Sequence, residues 1–222
     1  MCLVTFYPKA HPSTMTTMAR LSYKEQIQRV REDAIVEAVN RLLATKGYDA
    51  MTVDEVAAEA GMAKASVYKH FASKEDLAAA AMVRALDRAV AFVDGQREQA
   101  DTPPMDQLKA VARWAIASQL EGEMPSLPSQ NSALSNSLQA NEAYMDRLIS
   151  LSNKLSIWIT QAQTSGQLSS DLPAEMMLYI LFARACDPVV GMLKASGMYT
   201  NEQILDWVTT TTFDGVGPLA KA

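Results

Sequence analysis

Apolar residues recur along this chain at helical spacing, and no stretch alternates as a strand would. Ile35, Ala38, Val39, Leu42 and Leu43 fall at i, i+3, i+4, i+7 and i+8, one face of a helix running from Tyr23 to Lys46 and stopped by Gly47. Thr52 and Glu55 form a capping box for a short helix with Val53, Val56, Ala57 and Ala60 on one side, ended by Gly61. A third short helix is predicted through Lys64 to His70. Ser73, with Asp76 as a weaker box, opens a fourth that carries Leu77, Met82, Leu86, Val90 and Val93 as far as Gly95.

Asp101-Thr102-Pro103-Pro104 breaks the pattern, and a helix from Met105 to Leu120 follows. Residues 121–130 read as loop and 131–139 as a short helix. Leu148, Leu151, Leu155, Trp158 and Ile159 mark a long helix from Asn141 to Thr164, closed by Ser165-Gly166. Pro173 fits the first turn of the next helix, which Pro188 must kink or split. Thr200 and Gln203 form a box ahead of Ile204, Leu205, Trp207 and Val208. The expected fold is all-α, with about nine helices.

Composition narrows this picture. The 222 residues suffice for one large or two small domains with a buried core, and 49% are hydrophobic, which argues against wholesale disorder. No apolar run nears the roughly 18 residues of a membrane span, so no membrane partner is expected. The apolar opening Met1-Cys2-Leu3-Val4-Thr5-Phe6-Tyr7 lacks a charged flank and is no secretory signal. Two cysteines build no disulfide framework, which favours a reducing, cytoplasmic setting. Residues 1–22 read as a flexible arm, the alternative being a start at Met15 or Met18.

A net charge of -5 is at first sight a poor match to nucleic acid. It is unevenly spread: residues 20–74 hold nine basic and eight acidic groups, and residues 75–222 ten basic and seventeen acidic. There is no Gly-rich phosphate loop, nucleophile elbow or metal-ligand cluster, and the two histidines lie far apart. No enzyme, cofactor or metal site is therefore expected.

Chemistry concentrates in residues 51–71. Two short helices joined at Gly61 are a helix-turn-helix arrangement, with Ala57 and Ala58 small enough for close approach. Val67 and Phe71 can pack inward. Lys64, Ala65, Ser66, Tyr68, Lys69 and His70 are left for the outer face, where a recognition helix needs protruding polar groups. At these residues the chain resembles the TetR family of bacterial transcriptional repressors. The resemblance covers about residues 28 to 88. Its marks are Ala34-Ile35-Val36-Glu37-Ala38, Gly47-Tyr48, Thr52-Val53, Val56-Ala57, Ala60-Gly61, Val67-Tyr68-Lys69-His70-Phe71 and Ser73-Lys74-Glu75-Asp76-Leu77.

The resemblance implies a helix-turn-helix DNA-binding domain over 23–88 and an effector-binding and dimerisation bundle over 89–222. It places Thr52, Ser66 and Lys74 at phosphates, Lys64 and Ala65 at base edges, and Tyr68, Lys69 and His70 at phosphate, sugar or bases. The bland reading of His70 is a cap on the last carbonyls of its helix. Ala63 departs from the family's usual Ser, at a cost of about 1 kcal/mol of helix capping. The family also places a ligand pocket in the second half. Trp114, Met124, Leu127, Tyr144, Met145, Trp158, Met177 and Phe182 are the pocket candidates, each with ordinary core packing as its alternative. The dimer interface would fall on the last two long helices, at Leu181, Val189, Ile204, Leu205 and Val208. Arg113 and Arg184 are expected to pair with acidic neighbours rather than with a ligand anion. The expected protein is thus a homodimeric regulator, probed by a small-molecule effector and released by it from a palindromic operator. Its rival is an effector-independent DNA-binding protein that works through a protein partner.

Overall fold

The computed structural model describes residues 22–98, 102–125 and 133–215, and those residues form ten α-helices with no strand among them. They are α1 (Tyr23–Ala50), α2 (Val53–Glu59), α3 (Lys64–Val67), α4 (Lys74–Arg97), α5 (Pro104–Leu120), α6 (Ala133–Ala140), α7 (Glu142–Thr164), α8 (Ala174–Arg184), α9 (Pro188–Ser196) and α10 (Asn201–Phe213). The all-α expectation holds. The count rises from nine to ten because the segment around Pro188 splits. Asp187, held extended ahead of the proline, accepts a hydrogen bond from Val189 N at 3.0 Å and caps α9.

Caps were legible in advance. Thr52–Glu55 and Thr200–Gln203 are complete boxes, and a third, Ser22–Glu25, opens α1. Ser22, counted with the arm, therefore belongs to the first helix; the rest of the arm lies outside the described residues. Gly47 breaks α1 at a φ of 76°.

Three apolar clusters hold the molecule together. The first joins Ile35, Val39 and Leu43 of α1, Val56 of α2, Val67 of α3 and Leu77 of α4. Leu134 and Leu138 of α6 complete it. The second joins Val93 of α4 to α5, α7 and α8, and the third joins Ile116 and Leu120 of α5 to α9 and α10. Helix α4 spans the first two clusters: its 24 residues reach about 36 Å. The boundary expected at residue 88 falls within this continuous helix. The head's core is closed by α6, from the half expected to be separate.

Ala174–Ser196 amends the statement that no stretch approaches membrane-spanning length and hydropathy, since it passes that test when taken as a whole. It is nevertheless broken at Pro188 and crossed by the Arg184–Asp187 ion pair at 2.7 Å.

Candidate functional site

The first candidate site is built on α2, a turn and α3. In the Thr52 box, Glu55 N donates to Thr52 Oγ1 at 3.3 Å and Thr52 N donates to Glu55 Oε2 at 3.1 Å. Lys46 pairs with the same Glu55 and ties the end of α1 to α2. The turn passes through Gly61 at a φ of 65°, where any L side chain is strained although space is open. Met62 N then donates to Ala57 O at 2.8 Å, which closes the end of α2.

Ala63 supplies no side-chain cap to α3, only its carbonyl, which accepts from Ser66 N at 2.8 Å. The helix itself is one turn long. Tyr68, Lys69 and His70, expected within it, lie in the hydrogen-bonded turns that follow, with Phe71 N donating to Val67 O at 3.0 Å. So short a helix has no stability of its own, and the wholly buried Val67 docks it on the head's core.

That docking leaves Lys64, Ala65, Tyr68 and Lys69 exposed and Ser66 half-buried. Lys64 Nζ lies 2.9 Å from Asp54 Oδ2, and this hydrogen bond holds the ammonium above its ordinary value. Lys74 sits beside the same face. Its Nζ is 4.4 Å from the Tyr48 ring centroid and donates to Asp49 O at 3.3 Å. Tyr48 is anchored in turn by donating to Glu75 Oε1 at 2.7 Å. Thr52 is exposed at the start of α2.

His70 departs from both of its sequence readings. Its side chain is only 9% exposed, and Nδ1 lies 3.1 Å from Glu32 Oε1 on α1. It is a strut that sets the recognition element against the first helix. The His70 hydrogen bond, then that of Gln28, holds the Glu32 carboxyl below its ordinary 4.5. A depressed carboxyl stabilises the fold above its unfolded pKa, and that contribution fades as pH falls through the folded value. Glu32→Gln is therefore expected to lower Tm at neutral pH. The gap from wild type should shrink as pH drops below the carboxylate range; a gap that stays constant from pH 7 to 3 refutes the strut.

The second candidate site is a cavity of about 590 Å³ among α4, α5, α7 and α8. Of the pocket candidates, Trp114, Met124, Tyr144 and Phe182 line it. Met145 does not, and Trp158 and Met177 are buried in the second cluster instead, so these three are core or surface residues. Leu127 lies outside the described residues. Leu181, expected at the dimer face, is buried and lines the cavity. Leu86, Leu148, Leu178 and Tyr179 were missed as lining residues, because periodicity marks an apolar face without saying whether it meets a neighbour or a void.

The expected dimer positions also need correction. Ile204 and Val208 are buried inside the monomer against α5, and Leu205 is half-buried beside them. Only Val189, 49% exposed, faces outward. The other exposed apolar groups of α8, α9 and α10 are Met176, Tyr179, Met192 and Trp207. Arg113 pairs with Asp206 at 2.6 Å and Arg184 with Asp187, both within the chain.

An all-α chain that offers a short, solvent-facing helix after a left-handed glycine turn has the architecture of a helix-turn-helix protein. Residues 35–81 match the family described as bacterial regulatory proteins, tetR family. The chain is 31% identical over 78 residues to the HTH-type transcriptional regulator AlkX of Mycobacterium tuberculosis, covering 35% of this chain and 37% of that relative. The similarity thus spans little more than a third of the curated relative's length. Among the solved structures that share the fold are two with bound ligands. One is the transcriptional regulator FadR from Bacillus subtilis in complex with stearoyl-CoA, with a TM-score of 0.63, 16% identity and coverage of 83% of this chain and 99% of that one. The other is AibR in complex with isovaleryl coenzyme A and operator DNA, with a TM-score of 0.53, 21% identity and coverage of 82% and 98%.

Proposed function

We propose that the protein is a homodimeric, sequence-specific DNA-binding transcriptional regulator, a repressor that a small molecule in the C-terminal cavity releases from a palindromic operator. The observation that carries the DNA reading is the outward face of Lys64, Tyr68 and Lys69 on a family-matched helix-turn-helix, with Lys74 beside it. In this reading Lys64, Ala65 and Lys69 meet base edges or nearby backbone, while Thr52, Ser66, Tyr68 and Lys74 meet phosphates. His70 acts from behind, by positioning. Such a protein works in the cytoplasm, where its operator is.

Dimerisation is supported by the exposed apolar groups Met176, Val189, Met192 and Trp207 of α8, α9 and α10. A twofold pair of heads reads half-sites about 34–36 Å apart, hence the palindrome. The effector reading is supported by the cavity and by its walls. Met82 and Tyr144 line it and also pack in or against the head's core. A ligand that prefers one arrangement of these walls shifts the heads toward it, and only by that preference. The two structural neighbours named above carry acyl-CoA ligands, in keeping with an effector site in this fold.

Selection from randomised duplex DNA tests the proposal. The expected product is an approximate palindrome; an unenriched pool overturns it. Repeated with Lys64→Ala, the selection is expected to relax preference at one position of each half-site, by about 1–3 kcal/mol. An unaltered preference removes Lys64 from base contact.

A further inference from the structure

The chemistry of the cavity wall carries more than the presence of an effector. No lysine or arginine is among its described lining residues. Six cations are nonetheless next in sequence to a lining position: Arg84, Arg88, Arg113, Arg147, Lys154 and Arg184. All six are committed to carboxylates. Arg84 pairs with Asp33 at 3.2 Å, Arg88 with Glu123 at 2.7 Å and Arg147 with Asp87 at 3.0 Å. Arg113 and Arg184 pair as described above, and Lys154 pairs with Asp94. The helical turn that points one residue into the cavity points its neighbour away, and an acid holds it there. An anionic ligand would meet apolar walls and no countercharge, a costly burial.

Among the described residues the one charged lining residue is Glu175, which is exposed to solvent. It has no cationic partner among the described residues; its Oε1 accepts from the Tyr179 hydroxyl at 2.6 Å. Four aromatic rings line the same space: Trp114, Tyr144, Tyr179 and Phe182. Trp114 is fixed by stacking on Phe92, with centroids 5.2 Å apart. The Tyr144 hydroxyl makes no hydrogen bond to any described residue. A carboxylate, aromatic faces and long apolar walls are the surroundings that a lipophilic cation favours.

We infer that the effector is a lipophilic organic cation, its apolar body between Trp114 and Phe182 and its positive group at Glu175. This rests on the reading of the cavity as the effector site. It also sets the ligand apart from phosphate-bearing thioesters, which need cations that this wall turns outward.

Calorimetric titration of the full chain with four ten-carbon probes tests the inference: decyltrimethylammonium below its micellar concentration, decanol, decanoate and decanoyl-CoA. The cation is expected to bind about tenfold tighter than decanol, with decanoate and decanoyl-CoA weaker still. Glu175→Gln is expected to remove most of the cation's advantage and leave decanol unchanged, whereas Trp114→Ala weakens every probe. Decanoate or decanoyl-CoA binding as tightly as the cation, or a cation advantage intact in Glu175→Gln, overturns the charge assignment while the cavity stays the effector site. No binding by any probe, with operator binding intact, overturns the effector site itself and the inference with it.

Discussion

Leu134→Ala is expected to lower the unfolding free energy by about 2–5 kcal/mol, as deletion of a buried leucine side chain does when its site cannot collapse. Leu134 is wholly buried, yet its cluster is the head's core of α1, α2, α3 and α4, far away in sequence. It reaches that core from α6, a helix of eight residues, too short to persist without packing. Truncation therefore leaves a void in the head and loosens α6 at once. Denaturant unfolding followed by circular dichroism measures the loss. Ile149→Ala, at a site 53% exposed, is the control and is expected to stay within about 0.5 kcal/mol. A Leu134→Ala loss under 1 kcal/mol would show that α6 does not complete the head. If the loss appears, ligand-driven release of DNA should weaken too, since α6 and α7 join cavity and head.

The second large effect concerns salt. Lys74→Ala is expected to weaken DNA binding at every sequence and to flatten the plot of log affinity against log salt by about one unit. The ammonium is held over Tyr48 and near Asp49 O, so its position is set before DNA arrives. Burial, and then the Glu75 hydrogen bond, pushes the Tyr48 phenol up, so the ring stays neutral beneath the cation. Lys109, in the body near Asp214, is the control: its alanine variant is expected to keep the wild-type slope. Fluorescence anisotropy across a salt series measures both. An unchanged slope for Lys74→Ala would take Lys74 off the phosphate backbone.

These two residues show where the chain's own pattern was sufficient and where it was not. Lys74 stands in the run from Tyr68 to Leu77, and its place at the start of α4 followed from the Ser73 cap, whose Oγ accepts from Asp76 N at 3.0 Å. Leu134 carried no such mark. It stood in a short predicted helix, and its partners lie dozens of residues away. His70 was legible as a candidate but not as a strut, because Glu32 is 38 residues distant. The six cations beside the cavity were equally opaque: an arginine in an apolar helix looks the same whether it turns toward a ligand or toward an acid on another helix.

The sequence by itself determined the helical class, most of the helix caps and the helix-turn-helix segment. Those depend on short-range physics: a 3.6-residue period, side-chain caps three residues from their amides, a glycine at positive φ and a proline that interrupts α8 and α9. Only the tertiary structure decided which apolar face became core, cavity wall or outer surface. It moved Leu181 to the cavity, turned Ile204 and Val208 inward and left Met192 and Trp207 bare. It did so because the helices of such a body are apolar on more than one side, and the crossing of whole helices selects which side meets what.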